Sequence, residues 1–320
     1  MRSNTELNWG IHLLDTGFHR DNMAACYVVE DEGESGIEVA IVETGTKDTV
    51  PVIETFLRDQ DIDFKQVKYV IVTHVHLDHA GGAGLLMQML PNAKLVVHDK
   101  GARHMINPAK LQAGATAVYG EEVFSKTYGD LLPIEESKIQ VPADGEVLRL
   151  GGRSLTFIDT PGHARHHFCV YDNKSQGFFT GDTFGLAYPE LTTGKGPFIF
   201  PTTTPVQFDP EAMKHSIKRL LSFEPQRLFL THYGMVEQPD VLAKVLLERV
   251  DVLVNIATRN ADHPNRIDAI KEEVLSYFIE QLAEHCCELS KKDQVELLLV
   301  DAMLNAQGLD VWLNLCGGRK

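Results

Sequence analysis

Four side chains that can bind a metal stand within six positions, directly after a short apolar run. The run, residues 69–73, is rich in β-branched residues and is typical of a buried strand. The side chains that follow it are His74, His76, Asp78 and His79. Three imidazoles and a carboxylate are costly to bury without a cation. A chance cluster of surface histidines is the alternative, but the buried strand argues against it, so the sequence predicts a metal site at this strand end.

Three later segments each place one further donor just beyond a predicted strand. The segments are residues 160–163, 180–183 and 231–234, and their donors are His163, Asp182 and His232. Each segment alone is as typical of a turn as of a functional site. Strand ends that point to one rim of a sheet can converge on a single site. The order of these segments behind the first cluster therefore indicates that their donors are candidate ligands as well.

The segment His74-Val75-His76-Leu77-Asp78-His79 resembles the His-x-His-x-Asp-His signature of the metallo-β-lactamase superfamily of hydrolases. The resemblance extends over residues 10–235 and implies a dinuclear metal centre. The implied ligands of the first ion are His74, His76 and His163. The implied ligands of the second ion are Asp78, His79 and His232, and Asp182 would bridge the two ions.

The resemblance also implies a cofactor and a reaction. Imidazole and carboxylate suit zinc, iron and manganese, and two divalent ions are expected, with zinc preferred. Two such ions lower the pKa of a shared water enough to supply hydroxide near neutral pH. Asp78 would orient that hydroxide and Asp182 would fix the metal spacing, which makes both of them catalytic candidates. The implied activity is hydrolysis of an ester, thioester, lactone or phosphodiester small molecule.

Two other functions stay open from the sequence. A single-iron dioxygenase of the same superfamily keeps these histidines, and iron content with oxygen consumption would distinguish it from a hydrolase. A protein that keeps the metals without useful turnover, acting as a ligand sensor, is the other. Glyoxalase II, a thioesterase of the superfamily, is similar to this chain in its ligand set.

Residues outside the ligand set are predicted to support it. His167 lies four positions after His163 and is expected to orient a ligand from a second layer. The irregular segment 183–208 is long for a compact domain, which is typical of a functional loop. Its predicted substrate contacts form an apolar wall: Phe184, Tyr188, Phe198 and Phe200. Tyr233, next to His232, is expected to polarise a substrate oxygen.

Composition limits the partners of the chain. A formal net charge of −15 over 320 residues argues against nucleic acid and leaves a small-molecule substrate as the expected partner. No apolar run approaches the roughly 20 residues of a membrane-spanning helix, so no membrane is expected. The five cysteines are irregularly spaced, and residues 1–10 lack a signal pattern. These features predict a cytoplasmic protein without a disulfide framework.

The order of predicted elements indicates the architecture. A β-rich part, an αβα part, a second β-rich part and a helical part follow one another, which predicts an αββα sandwich of two mixed β-sheets flanked by helices. Residues 1–238 would form the catalytic domain and residues 239–320 an α-helical C-terminal extension. The extension could pack on the main domain, cap the substrate or form a homodimer. Local patterns predict one strand over residues 8–14 and two last helical pieces, 293–304 and 311–315.

Overall fold

The computed structural model describes residues 4–34, 36–203 and 206–317, with the side chains of residues 118, 119, 316 and 317 outside the description. The chain divides into two compact units. The first unit consists of residues 1–159 and 166–181, and the second of residues 160–165 and 182–320. The predicted domain boundary at residue 238 falls within the second unit and stays a prediction.

The strands form two β-sheets, one of seven strands and one of six. The seven-stranded sheet follows chain order: β1 Asn4–Leu7, β2 Ile11–Asp15, β3 Ala25–Gly33, β4 Gly36–Val42, β5 Val67–Ile71, β6 Lys94–Val96 and β7 Ile139–Gln140. Its first four strands are antiparallel neighbours, and β4 to β7 run parallel. Because β4 and β5 are parallel, the residues just beyond each of them, Glu43 and Thr73, meet at one edge of the sheet.

The second sheet contains strands from both halves of the sequence. Its strands in chain order are β8 Val147–Leu150, β9 Arg153–Asp159, β10 Phe168–Asp172, β11 Gly177–Phe179, β12 Arg227–Leu230 and β13 Gly234–Glu237. In the first unit, β8 to β11 are successive antiparallel neighbours. In the second unit, β12 and β13 form an antiparallel pair. Strand ends therefore precede both Asp182 and His232.

Helices occur in both units. The first unit contains α1 Val50–Asp59, α2 Leu77–Ala80, α3 Ala83–Met89, α4 Asp99–Ile106, α5 Ala109–Tyr119 and α6 Glu121–Thr127. The second unit contains α7 Pro210–Leu221, α8 Pro239–Arg259, α9 Arg266–Glu284 and α10 Lys291–Gly317. Short 3₁₀ turns lie at Lys47–Thr49, Phe64–Gln66, Glu136–Lys138 and Pro189–Leu191. The predicted fold class, two mixed sheets with flanking helices and a helical C-terminal part, is confirmed.

The core of the first unit holds the end of β5 in place. Helix α1 buries Val50, Ile53, Phe56 and Leu57 on one face. These side chains join the apolar residues of β4 and β5 in one cluster, which continues to Val72 and Val75. Each such buried side chain contributes about 1.5–3 kcal/mol relative to exposure. The backbone that carries His74 and His76 therefore lies against a packed apolar core.

An ion pair inside the first unit links its two sheets. The Arg153 guanidinium donates to the Asp172 carboxylate at 2.7 Å, and neither side chain is exposed. The same guanidinium donates to the backbone carbonyls of Trp9 and Glu30, on the other sheet. The buried charge is tolerated because both terminal nitrogens of the guanidinium are paired, one with the Asp172 carboxylate and the other with backbone carbonyls.

Two local predictions are wrong, both for reasons of chain geometry. The strand expected over residues 8–14 is interrupted, because Trp9 and Gly10 adopt left-handed backbone angles and turn β1 back onto β2. The last helical pieces are one continuous helix, α10, because Gly308, which lies between them, does not end the helix. Within the described residues, no helix is long and apolar enough to cross a membrane.

The four cysteines whose side chains are described carry free thiols. Cys26 and Cys169 are buried, whereas Cys286 is exposed and Cys287 is half-buried. Burial, with the nearby Glu43 carboxylate as a smaller cause, raises the pKa of the Cys26 thiol far above its usual range. Cys26 is therefore an apolar packing residue rather than a reactive group.

Candidate metal centre

The first unit holds four of the predicted ligands at the end of β5 and the start of α2. Nε2 of His74 lies 2.9 Å from Nδ1 of His76, and the ring centroids of His74 and His79 are 4.0 Å apart. Nε2 of His79 lies 3.7 Å from the Asp78 carboxylate. His74 and His79 are fully buried, whereas His76 and Asp78 keep some exposure. The motif therefore gathers its four donors around one small region of the first unit.

Glu43, which follows β4, orients two of these histidines. Its buried carboxylate lies 3.1 Å from Nδ1 of His79 and accepts the Thr73 hydroxyl and backbone amide. The single Thr73 hydroxyl proton goes to Glu43, so Thr73 Oγ1 accepts a proton from Nδ1 of His74, 3.1 Å away. An ionised carboxylate only accepts, so Nδ1 of His79 carries a proton as well. The Nε2 atoms of both histidines are thus left as lone-pair donors for a cation.

The sequence analysis missed Glu43. A lone acidic residue after a strand has no spacing signal, and its partner His79 is 36 residues away. The one feature that could have identified Glu43 is its position directly after the four buried residues that end β4. A charge at such a position is costly to bury unless it is paired, which marks it as a residue with a specific partner.

His166 and His167 also lie beside the motif. The fully buried His167 ring lies 4.9 Å from the His74 ring, centroid to centroid. The Gly181 backbone is so close to His167 that an added Cβ would come 2.5 Å from its Nε2. His166 lies 5.7 Å from His76, and Nδ1 of His166 accepts the Val75 amide at 3.5 Å. His166 therefore packs beside the motif as well, and the role of His167 stays a prediction.

The second unit places its three predicted ligands together. One oxygen of the Asp182 carboxylate lies 3.3 Å from Nε2 of His163, and the other lies 3.5 Å from Nε2 of His232. All three residues are at most 5% exposed. The Asp182 carboxylate therefore lies between the two imidazoles, with one oxygen facing each of them.

The position of His163 depends on a close approach of Gly162 to helix α7. Gly162 has a φ of +138°, and a Cβ there would lie 2.3 Å from Cα of Met213. The Gly162 carbonyl accepts the Asp209 amide at 2.8 Å, and the Ser216 hydroxyl donates to the Pro161 carbonyl at 2.7 Å. The glycine of the Pro-Gly-His segment is therefore required by packing.

Backbone groups orient the histidines of the second unit. Nδ1 of His163 donates to the Thr202 carbonyl at 3.3 Å, which directs Nε2 toward Asp182. His232 follows β12, and its carbonyl accepts the Ala187 amide at 2.6 Å. The first contact orients the His163 ring in the way that outer partners of metal ligands commonly do, and the second holds the backbone of His232.

The seven predicted ligands have the chemistry of a metal site. In the described part of the chain, every group of three or more His, Cys, Asp or Glu residues that could hold a metal ion is drawn from these seven. Neutral imidazole with carboxylate fits zinc, iron or manganese. Clusters of His and Asp that could hold metal are thus present, while the identity and number of ions stay predictions.

The predicted substrate wall lies in the interior of the second unit. Its four aromatic side chains are at most 1% exposed: Phe184, Tyr188, Phe198 and Phe200. Phe200 packs on Phe278 of α9 at 5.2 Å between centroids, and the Arg249 guanidinium lies 3.9 Å from the Phe198 ring centre. Tyr233 alone among the five candidates keeps partial exposure. Packing explains the four buried aromatics, and substrate contact by any of the five stays a prediction.

The Metallo-beta-lactamase superfamily profile matches residues 19–232, about two thirds of the chain. The chain therefore belongs to the metallo-β-lactamase superfamily.

Individual relatives agree with this assignment. The chain is 29% identical over 230 residues to "Metallo-beta-lactamase fold-containing protein ST1585" of Sulfurisphaera tokodaii, covering 69% of this chain and 82% of that protein. It is 28% identical over 119 residues to "Acyl-coenzyme A thioesterase MBLAC2" of Gallus gallus, covering 35% and 40% of the two chains. The solved structure of the family protein TTHA1429 from Thermus thermophilus shares the fold, with a TM-score of 0.68, 20% identity and coverage of 96% and 94%.

Proposed function

We propose that the protein is a dinuclear metal-dependent hydrolase whose substrate is a small-molecule thioester. The observation that carries the proposal is the Asp182 carboxylate, which offers one oxygen to His163 and the other to His232. A carboxylate shared between two histidines is the arrangement expected of a ligand that spaces two ions. Membership of the superfamily and the four-donor motif of the first unit support the same interpretation.

The ligand assignment follows the two donor sets. One ion would be held by His74, His76 and His163. The other would be held by Asp78, His79 and His232, with Asp182 shared. Bound divalent ions at such a centre supply Lewis acidity and a water of lowered pKa.

The protein groups prepare the centre for that chemistry. Glu43 and the Thr202 carbonyl hold protons on the Nδ1 atoms of His79 and His163, so that the opposite nitrogens are available. Asp78, which is partly exposed, would accept a proton from the attacking water and aim its lone pair. Tyr233 would donate its hydroxyl to a substrate oxygen.

The thioester is preferred among the possible substrates because of a relative. The Gallus gallus relative is named as an acyl-coenzyme A thioesterase. A thioester carbonyl is more electrophilic than an ester carbonyl, and a thiolate is a good leaving group, so it suits a hydroxide nucleophile without an activated serine or cysteine. Esters, lactones and phosphodiesters serve as the comparison substrates.

The test is a hydrolysis panel on purified protein whose metal content has been measured. We expect the purified protein to contain zinc and to hydrolyse a thioester. A chelator should abolish this activity, and added zinc should restore it. His76→Ala and Asp182→Ala should lower turnover by orders of magnitude while the fold persists. His215→Ala, an exposed histidine on α7, is the matched control and should leave turnover unchanged.

The outcomes separate the candidate functions. Near-native turnover in His76→Ala or Asp182→Ala with added metal would show that the site assignment is wrong. Bound iron with oxygen consumption and no hydrolysis would favour a dioxygenase. Tight ligand binding without turnover of any substrate would favour a sensor.

A further inference from the structure

We propose that Asn305 and Asp301 of α10 are positioning residues for the metal ligands His163 and His232. The inference rests on the proposed metal centre and gives a function to the helical part that lies outside the family match. It involves only the second unit. Both residues are buried, and they lie four positions apart, on one face of the helix.

The His163 branch passes through one peptide group. The Thr202 carbonyl accepts the Nδ1 proton of His163, and the amide of the next residue, Thr203, donates to the Asn305 side chain at 2.9 Å. The Thr202 carbonyl and the Thr203 amide belong to the same planar unit and point in opposite directions. An anchor on the amide therefore fixes the direction of the carbonyl, and with it the His163 ring.

Asn305 holds this peptide group rigidly because every one of its polar groups is engaged. Its side-chain oxygen accepts the Thr203 amide, and its side-chain nitrogen donates to the Asp301 carbonyl at 2.9 Å. The Thr203 hydroxyl donates to the Asn305 carbonyl at 3.0 Å. Both residues are at most 1% exposed, so water cannot replace a lost partner without cost.

The His232 branch contacts the backbone of its histidine instead of the ring. The Ala187 amide donates to the His232 carbonyl, and the hydroxyl of the next residue, Tyr188, donates to the Asp301 carboxylate at 3.1 Å. Tyr188 is fully buried and Asp301 is 6% exposed. Paired backbone hydrogen bonds of 2.8 and 2.9 Å between Leu186 and Phe200 tie the two branches together. One face of α10 thus anchors both backbone segments that touch ligand histidines.

The experiment measures metal affinity and ligand geometry instead of activity alone. Zinc affinity is determined by competition with a chelator, and the visible spectrum of the cobalt-substituted full-length protein reports the ligand field. For Asn305→Ala we expect zinc affinity to fall by roughly 10–100-fold, the usual effect of losing an outer partner of a metal ligand, and the cobalt spectrum to change. Tyr188→Phe should shift both readouts in the same direction by less.

A matched variant separates positioning from general stability. Asn260→Ala removes another buried asparagine of the second unit, whose side-chain nitrogen donates to the Ile256 carbonyl and to Glu273 and does not contact Thr203. It should lower the melting temperature about as Asn305→Ala does and leave zinc affinity and the cobalt spectrum unchanged. If Asn305→Ala folds with native zinc affinity and spectrum, the inference is overturned. If Asn305→Ala does not fold, an unchanged spectrum in Tyr188→Phe overturns it.

Failure of the proposed function would give different results from failure of the positioning inference. Wild-type protein that gives a cobalt spectrum but hydrolyses nothing would contradict hydrolysis and leave the positioning test valid. Wild-type protein that binds neither zinc nor cobalt would contradict both proposals.

Discussion

The Glu43 carboxylate and Nδ1 of His79 form a buried hydrogen bond of 3.1 Å, and the same carboxylate reaches His74 through the Thr73 hydroxyl. One acidic side chain therefore sets the tautomer of two histidines that are candidate metal ligands. We predict that Glu43→Gln lowers zinc affinity by about 10–100-fold, because the amide presents a donor where only an acceptor fits. Chelator competition measures the change.

Glu38→Gln is the control for this prediction, because Glu38 is a carboxylate near the other end of the same strand, where it binds Lys68 and the Gly151 amide instead of a histidine. Its zinc affinity should be that of the wild type. Equal affinities of the Glu43 and Glu38 variants would show that Glu43 does not orient the ligands.

Gly162→Ala should destabilise the protein and weaken metal binding together. The new Cβ would collide with the Met213 backbone at 2.3 Å, and the φ of +138° is unfavourable for any other residue. Strained backbone alone costs on the order of 1–3 kcal/mol, and the collision adds to it. Urea unfolding measures the loss of unfolding free energy.

Gly145→Ala is the comparison, since its φ is +81° but no atom lies within 4 Å of the added Cβ. A loss no larger than that of Gly145→Ala would refute the packing explanation.

Arg153→Ala should cost about 3–5 kcal/mol of unfolding free energy, the usual penalty for leaving a buried charge without its partner. The variant removes the guanidinium that pairs with the Asp172 carboxylate and that donates hydrogen bonds to two backbone carbonyls. Arg58→Ala breaks an exposed ion pair with Glu54 on α1 and should cost at most about 1 kcal/mol. Chemical denaturation compares the two. Similar losses would mean that the Arg153 pair adds nothing beyond a surface pair.

The ionised Glu38 carboxylate should stabilise the fold at neutral pH but not at low pH. Burial opposes its ionisation, but hydrogen bonds from the Gly151 amide and the Lys68 ammonium outweigh burial and lower the Glu38 pKa from its usual 4.5. Because the folded pKa lies below the unfolded one, the contribution is present at neutral pH and is lost as pH falls through the folded pKa. Glu38→Gln should therefore be less stable than wild type at pH 7 and equal to it at low pH. Unfolding across pH tests this, with Glu54→Gln as the control; a pH-independent difference would contradict it.

The fold class, and the clustering of His and Asp side chains that could hold metal, could be predicted from the sequence, because both have closely spaced local patterns. The His-x-His-x-Asp-His spacing and the strand before it predict a ligand cluster from local pattern alone. Glu43 and the α10 contacts were not visible, since their partners lie 36 and about 100 residues away and carry no periodic signal. The burial of Tyr188 and Phe200 likewise depends on α9 and α10, which local composition of the loop does not reveal.

The contacts that hold His163 carry a consequence for biosynthesis. Its two anchors, the Thr202 carbonyl and the Ser216 hydroxyl on Pro161, come 39 and 55 residues later in the chain than the groups they bind. A polypeptide leaving the ribosome can complete β5 and its four donors while His163 still has neither anchor. A cation that binds the nascent protein early would thus meet an incomplete donor set, and all seven candidate donors exist only after translation has passed His232, beyond helix α7.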